Sequence, residues 1–232
     1  LMYQIGGQPG HRPEEHMFVL KSSLARQRAQ GKMVVVQFYD VSKYFDKEMI
    51  QYAVLTCLKR GADKKAIGLW YKLNDQTRIQ VRTGSGMSRF GNVGAVVSQG
   101  MLGGALASQA VLDDGVTEHV TPGGRLQMEY GEVPMAPLLW IDDIINTAGG
   151  LDEARQINGL LDKVIKQRGL SLNEDKSAFI IIGSKNQKRQ ATKELEKDPL
   201  VCGNFVTKEK QTDKWLGKIL SSRGLSACVE ET

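Results

Sequence analysis

Apolar and polar positions along the chain follow two different periods, so the sequence predicts both helices and strands. Apolar residues at helical spacing, as in Met17, Leu20 and Leu24, indicate an amphipathic helix that begins at Pro13 and ends at Gly31. Further helices are predicted over residues 47–60, with Asp46 as the N-terminal cap, and over residues 62–73, 102–112, 151–168 and 186–196.

Runs of β-branched and apolar residues are typical of buried strands. They predict strands over residues 33–39, 127–130, 138–141, 144–146, 178–182, 204–207 and 215–220. Residues 77–83 and 87–91, separated by Gly84-Ser85-Gly86, predict a hairpin. Strands and helices do not alternate strictly along the chain. The predicted fold class is therefore α+β, with an antiparallel sheet backed by helices.

The composition is that of a globular chain. Its 232 residues, 41% apolar and 25% charged, exclude a disordered, collagen-like or small disulfide-bonded protein. The longest apolar runs, residues 33–36 and 179–182, are too short to cross a membrane. Cys57, Cys202 and Cys228 are odd in number and widely spaced, which argues against a disulfide framework or a zinc site. We therefore expect an intracellular protein, in the cytoplasm or the nucleus, without a membrane partner.

Positive charge is concentrated near the C-terminal end. The net charge is +5, and residues 176–223 carry 11 Lys or Arg against 5 Asp or Glu. This distribution suits a polyanionic partner such as nucleic acid, although a solvated, Lys-rich surface helix also explains it. The chain begins with Leu1 instead of Met, so we expect a fragment of a longer protein.

The pair Asp142-Asp143 lies inside an otherwise apolar stretch. Burying two adjacent carboxylates costs free energy, and a divalent cation offsets that cost. The alternative is a hairpin tip with both acids in water. A second pair, Asp113-Asp114, is followed by Gly115 and is predicted to be such a solvated loop.

Asp40 follows a predicted buried strand, which places a third carboxylate at the edge of the core. If that strand pairs beside the hairpin that carries Asp142 and Asp143, three carboxylates converge. Such a cluster holds two Mg²⁺ ions about 3.5–4 Å apart in enzymes of phosphoryl transfer. Taken alone, Asp40 is better explained as part of a turn or as a helix cap at the strand end.

Five short motifs occur in an order that resembles the palm of reverse transcriptases, most closely that of non-LTR (LINE-type) retrotransposons. The motifs are residues 38–46, Ser98-Gln99-Gly100, Trp140-Ile141-Asp142-Asp143, residues 169–176 and Trp215-Leu216-Gly217. Upstream, residues 4–10 resemble the fingers segment of the same family. The similarity covers nearly the whole chain in the order of the family, which makes the set far more specific than any single motif.

The resemblance implies RNA-directed DNA polymerisation, in which dNTPs are added to a primer 3′-hydroxyl with two Mg²⁺ ions, or Mn²⁺, as the cofactor. The implied catalytic residues are Asp40, Asp142, Asp143 and Lys176, and the implied metal ligands are Asp40, Asp142, Asp143 and the backbone of Val41. Lys176 is expected to protonate the pyrophosphate leaving group or to neutralise its charge.

The resemblance also assigns contacts to nucleotide and primer. The implied nucleotide-binding residues are Val41, Phe45, Gln99 and Gly100, and the implied primer grip is Trp215, Leu216 and Gly217. The ring of Phe45 leaves no room for a ribose 2′-hydroxyl and thus favours dNTPs over NTPs.

The implied domain layout is a palm with partial fingers. Residues 1–32 belong to the fingers, 33–60 to the palm with its first acid, 61–92 to a connection, 93–223 to the palm with its primer-grip hairpin, and 224–232 to the start of a link to a thumb. The implied partners are an RNA template, a DNA primer and dNTPs, with fingers, thumb or endonuclease domains of the same longer chain.

Two alternatives stay open. A viral RNA-dependent RNA polymerase shares the palm and the acid pair, and Asp46 is compatible with it, whereas Phe45 and Ile141 argue against it. The other alternative is a domesticated palm that binds RNA without catalysis. The intact set of three acids argues against loss of activity.

Overall fold

The computed structural model describes residues 10–47, 49–75, 78–92, 97, 103–120, 128–130, 133–135, 137–215 and 218–222. Its helices are α1 (Pro13–Ala29), α2 (Tyr44–Lys47), α3 (Ile50–Lys59), α4 (Lys64–Asp75), α5 (Gly104–Val120), α6 (Leu151–Gln167) and α7 (Lys185–Lys197). Its strands are β1 (Val34–Asp40), β2 (Arg78–Ile79), β3 (Arg82–Thr83), β4 (Gly86–Met87), β5 (Gly91–Asn92), β6 (Met128–Tyr130), β7 (Val133–Met135), β8 (Leu138–Trp140), β9 (Asp143–Ala148), β10 (Ala178–Ile182), β11 (Val201–Cys202), β12 (Phe205–Val206), β13 (Lys208–Glu209), β14 (Thr212–Trp215) and β15 (Lys218–Ser221). Within these ranges, no helix has the length and apolar character needed to cross a membrane.

A five-stranded sheet in the order β13-β10-β1-β9-β8 forms the centre of the fold. β1 pairs antiparallel with β10 and with β9, and β9 pairs antiparallel with β8. β13 lies parallel to β10, which the sequence pattern does not predict because β13 has only two residues. The predicted α+β class, with a largely antiparallel sheet backed by helices, is confirmed.

Each face of this sheet is covered by a helix. Alternate side chains of β1 point to opposite faces, so that Val35 packs in a cluster with Leu161 of α6, whereas Val36 packs in another with Leu20 of α1. Burial of each such side chain stabilises the fold by about 1.5–3 kcal/mol. Since both faces are buried, β1 is apolar apart from the buried Gln37 and the terminal Asp40, and this largely apolar run made the strand predictable.

The prediction of a solvated loop at Asp113-Asp114 is wrong. Helix α5 continues through both residues, and the Asp113 side chain is fully buried. Arg60, which follows α3, explains this difference because its guanidinium lies 2.7 Å from the Asp113 carboxylate. A charged group is buried at lower cost when it is paired and hydrogen-bonded. The partner lies far away in sequence, so local pattern carries no sign of it.

Two further local predictions are also wrong. Asp46 does not cap a long helix, since it lies inside α2, and α3 begins separately at Ile50 after the cap residue Met49. Residues 215–220 do not form one strand, because β14 ends at Trp215 and pairs antiparallel with β15. The predicted hairpin of residues 77–91 is present in its described part, as the pairs β2–β5 and β3–β4.

Candidate active site

Carboxylates from two neighbouring strands meet at one end of the central sheet. Asp40 is the last residue of β1 and lies directly opposite Asp143, the first residue of β9. Beyond this pair, the Val41 N–H donates to the Asp142 carbonyl at 3.1 Å. The antiparallel register therefore brings Asp40, Asp142 and Asp143 to adjacent positions, as expected if β1 pairs beside the hairpin.

The hairpin that carries the acid pair turns tightly between β8 and β9. Trp140 pairs with Asp143, which leaves Ile141 and Asp142 in the turn. Ile141 has φ +59°, an uncommon conformation for a β-branched residue. Its half-buried side chain packs against the α6 side of the core. Packing of this side chain offsets the backbone strain and holds the following carboxylates in place.

The environment of the acid pair disfavours negative charge. Burial raises the pKa of Asp143 to about 6, and repulsion from Asp142 and then Asp40 adds to this rise, while Lys176 opposes it. Burial also raises the pKa of Asp142, with a further contribution from Asp40. The three carboxylates thus interact electrostatically, and a cation placed among them lowers their energy.

Lys176 supplies one positive charge at this site. Its Nζ donates to Asp40 Oδ1 at 3.0 Å, and this hydrogen bond raises the pKa of the ammonium group. The segment before Lys176 is joined to the end of β1, because the Asn173 N–H donates to the Asp40 carbonyl at 2.8 Å and Val41 forms a bridge with Leu172. These backbone contacts explain how residues so distant in sequence come into contact.

A cavity of about 230 Å³ opens beside the carboxylates. Asp40, Asp143 and Lys176 line it, together with four further charged residues to which the sequence analysis assigned no role: Asp175, Lys210, Asp213 and Lys214. Lys210 pairs with Asp213 at 3.1 Å. Asp175 lies within the motif of residues 169–176, and the sequence signal for the other three is the basic excess of residues 176–223.

Comparison with known proteins identifies the fold. Neither a protein-family model nor a curated protein matches the chain. Solved telomerase structures do match it. Apo telomerase from Candida tropicalis, truncated from its C-terminal domain, has a TM-score of 0.60 at 10% identity over 95% of this chain and 40% of that one. The fold is that of a reverse-transcriptase-like polymerase palm.

Two related structures agree with this palm fold. Telomerase from Candida tropicalis, in complex with a TWJ fragment of telomeric RNA, has a TM-score of 0.63 at 10% identity over 95% of this chain and 33% of that one. The Candida albicans complex with the same kind of fragment has a TM-score of 0.54 at 9% identity, covering 91% and 33%. This chain thus spans about 33–40% of the length of these telomerase chains. The LINE-type resemblance stays a prediction.

Several predicted site residues of the palm lie away from the cavity or outside the described residues. Phe45 is half-buried against the α6 side of the core, with its ring 5.5 Å from that of Tyr44. Its part in nucleotide selection stays a prediction. Trp215 ends β14 opposite Lys218. The predicted contacts Ser98, Gln99, Gly100, Leu216 and Gly217, and residues 4–9 of the fingers segment, lie outside the described residues.

The acidic site fits a hard divalent cation in the chemistry of its donors. Asp40, Asp142 and Asp143 offer only carboxylate oxygens, which Mg²⁺ prefers, and burial raises the pKa of Asp142 and Asp143, a cost of ionisation that a bound cation would offset. In the described ranges, however, no three side chains of His, Cys, Asp or Glu are grouped closely enough to ligate one ion. The metal assignment therefore stays a prediction.

Proposed function

We propose that this chain is the palm and part of the fingers of an RNA-directed DNA polymerase, from a longer protein of the retrotransposon type. The observation that supports this most is the antiparallel register that sets Asp40 opposite Asp143, with Asp142 beside them. This arrangement lies within a reverse-transcriptase-like palm fold. The proposed reaction joins a dNTP to a primer 3′-hydroxyl under the direction of an RNA template.

In this proposal the primer 3′-hydroxyl loses its proton to solvent and its oxygen forms a bond to the α-phosphorus of the dNTP. The bond from the α-phosphorus to the oxygen of the β-phosphate breaks, and pyrophosphate leaves. Asp40, Asp142, Asp143 and the Val41 backbone would hold Mg²⁺ or Mn²⁺, which would supply charge stabilisation at the reacting oxygens. Lys176 lies beside Asp40 and stays protonated, since its pKa is raised. It donates positive charge or a proton to the departing pyrophosphate.

The remaining assignments of this proposal concern selection and partners. The proposed contacts to the nucleotide are Val41, Phe45, Gln99 and Gly100. The proposed contacts to the primer end are Trp215, Leu216 and Gly217. Two of the similar telomerase structures are complexes with telomeric RNA. RNA template, DNA primer and dNTPs are the proposed ligands of this chain, with fingers and thumb domains of the same longer protein inside the cell.

Primer extension on an RNA template, with dNTPs and Mg²⁺, tests the proposal. Asp142→Asn should lower the rate at least about 10³-fold, because the residue can no longer supply a charged ligand. Asp152→Asn is the matched control, since its carboxylate is 93% exposed on α6. Equal extension by both variants and the unmodified chain would rule out the polymerase assignment.

A second candidate, an RNA-binding palm without catalysis, is favoured by one observation. The ammonium group of Lys176 lies 3.0 Å from the Asp40 carboxylate, so that this carboxylate already has a cationic partner. In that case the unmodified chain binds RNA but extends no primer with Mg²⁺ or Mn²⁺, and Asp142→Ala leaves RNA binding unchanged. Extension by the unmodified chain excludes this candidate.

A further inference from the structure

A second cavity, of about 270 Å³, lies at the opposite end of β1 from the acidic site. Val34 begins β1 and pairs with Ile182, the last residue of β10, so the chain enters and leaves these strands at the same edge of the sheet. Both residues line the cavity. Six residues separate Val34 from Asp40, which corresponds to about 20 Å along a strand.

Hydrogen bonds between distant segments build the walls of this cavity. Gln187 Nε2 donates to the Gly31 carbonyl at 3.0 Å, which joins α7 to the loop after α1. Lys188 Nζ donates to the Ser222 carbonyl at 2.5 Å, which joins α7 to the end of the β14–β15 hairpin. The cavity is thus held by three parts of the tertiary structure.

The charge of the cavity is positive. Arg28 and Lys32 line it, and among the residues that the structure describes no Asp or Glu does. Both side chains are exposed, and neither forms a salt bridge to any residue in the described part of the chain. Ser184 and Gln187 cap the first turn of α7 reciprocally, so the basic side chains are the principal attraction for an anion.

Arginine and lysine beside hydroxyl and amide groups are suited to a phosphate group. The guanidinium of Arg28 offers a planar fork of donors, and Lys32 adds a mobile point charge. Ser184 and Gln187 bring polar groups to the same wall. Two cations at one opening raise the local positive potential, which favours an anion there.

We propose that this cavity binds a backbone phosphate of the nucleic-acid duplex, about 20 Å from the acidic site. The identity of the polymer rests on the proposed function. Val34 and Asp40 lie six positions apart on β1, so the cavity and the acidic site are at opposite ends of the same strand. The C-terminal segment also connects the two cavities, since Lys214 lines the first and Ser222 lines the second.

The length of the duplex provides a sharp test. Phosphates follow one another about every 3.4 Å along each strand, so a duplex held at Asp40 reaches the second cavity after about six nucleotides. The double variant Arg28→Gln, Lys32→Gln should therefore weaken binding of an RNA–DNA duplex of about 12 base pairs but not one of about 4 base pairs, each closed at one end by a covalent loop so that its strands stay paired. Both substituted residues are exposed, so folding should be retained.

The experiment is fluorescence anisotropy with labelled duplexes, over a range of salt concentrations. For the longer duplex, the variant should lose about tenfold in affinity and lower the slope of log K against log salt by about 1 to 2. The control is Lys65→Gln, Lys163→Gln, which removes the same charge from exposed positions on α4 and α6. The control variant should lower the affinity for both duplexes by the same factor, and by less than the tenfold loss expected of the Arg28→Gln, Lys32→Gln variant.

Three other outcomes overturn the proposal. If the variant and control behave alike while the unmodified chain binds duplex, the cavity is not a phosphate site and the proposed function stands. If inorganic phosphate displaces no duplex yet shifts the amide resonances of residues 28–32 in nuclear magnetic resonance spectra, the site takes a free anion. If the unmodified chain neither binds duplex nor extends a primer, the proposed function fails as well.

Discussion

At the scale of single residues, the carboxyl group of Asp143 shows how burial and function oppose each other. Burial raises its pKa to about 6, so its charged form is destabilised in the folded chain at neutral pH. A group that binds a cation must nevertheless be ionised there. The same buried position that would strengthen its attraction to a cation lowers the stability of the protein without one.

Replacing Asp143 by Asn should therefore stabilise the fold in a pH-dependent manner. The folded-state pKa is raised from 3.8 to about 6, so stability falls as pH rises through this window. Asp143→Asn removes this loss of stability. Above pH 6 the thermal midpoint of the variant should therefore exceed that of the unmodified chain, and below pH 3.8 the two midpoints should match. Thermal unfolding at several pH values measures this. Asp152→Asn, with its exposed carboxylate, should show no such dependence.

Replacement of Lys176 should affect catalysis much more than it affects the stability of the fold. Its side chain is 65% exposed, so its pairing with Asp40 contributes at most about 1 kcal/mol to stability. Lys176→Gln should nevertheless lower kcat for primer extension about 10²-fold, because the leaving group loses its acid. Lys208→Gln is a close control, since Lys208 is 57% exposed and pairs with Asp175. A similar loss in both variants would contradict a specific role of Lys176 at the leaving group.

At the scale of an element, helix α5 illustrates how tertiary packing overrides propensity. It contains Gly115, which usually weakens a helix. A Cβ at this position lies 2.5 Å from Cζ of Arg168 and 2.8 Å from Cγ1 of Val164. Arg168 is buried, and its Nε donates to the Val111 carbonyl at 3.1 Å. Glycine is thus required for α6 to approach α5 closely.

Gly115→Ala should destabilise the protein by about 1–3 kcal/mol, because Arg168 and Val164 must move. Gly159→Ala is the opposite case, since no atom lies within 4 Å of a Cβ built there in α6. It should stabilise the fold by about 1 kcal/mol through helix propensity. Urea denaturation of the two variants compares them directly, and a gain in stability for Gly115→Ala would contradict the packing argument.

At the scale of the whole molecule, the central sheet is held between α1 and α6. The face toward α1 contains Leu20, which is fully buried, and the two cavities open near opposite ends of β1. The stability of α1 therefore affects the geometry of both cavities. The domain boundaries at residues 32, 60, 92 and 223 stay predictions.

Leu20→Ala should cost about 2–5 kcal/mol of unfolding free energy, since it leaves a cavity between α1 and the sheet. Phe18→Ala, on the same helix, should cost under about 0.5 kcal/mol because its side chain is 72% exposed. Denaturant unfolding measures both values. Equal losses would mean that α1 does not pack on the sheet as described.

Much of the fold is predictable where a sequence pattern among neighbouring residues is enough to favour one secondary structure. Residues 178–182 were predicted as a strand and form β10 with the same bounds, because a run of buried β-branched residues favours a strand in almost any context. Asp113 was predicted incorrectly, because its environment depends on Arg60, more than fifty residues away. The same reason explains why Lys210 and Lys214 were missed beside Asp40.

The α+β class, the main strands and the acidic residues at their ends follow from the sequence pattern, because periodicity and composition are properties of neighbouring residues. The folded structure was needed to show that Asp40 lies opposite Asp143, that Lys176 reaches Asp40, and that Arg28 and Lys32 line a cavity with α7. Strand register and loop contacts join distant segments, and they follow from the packing of the entire core.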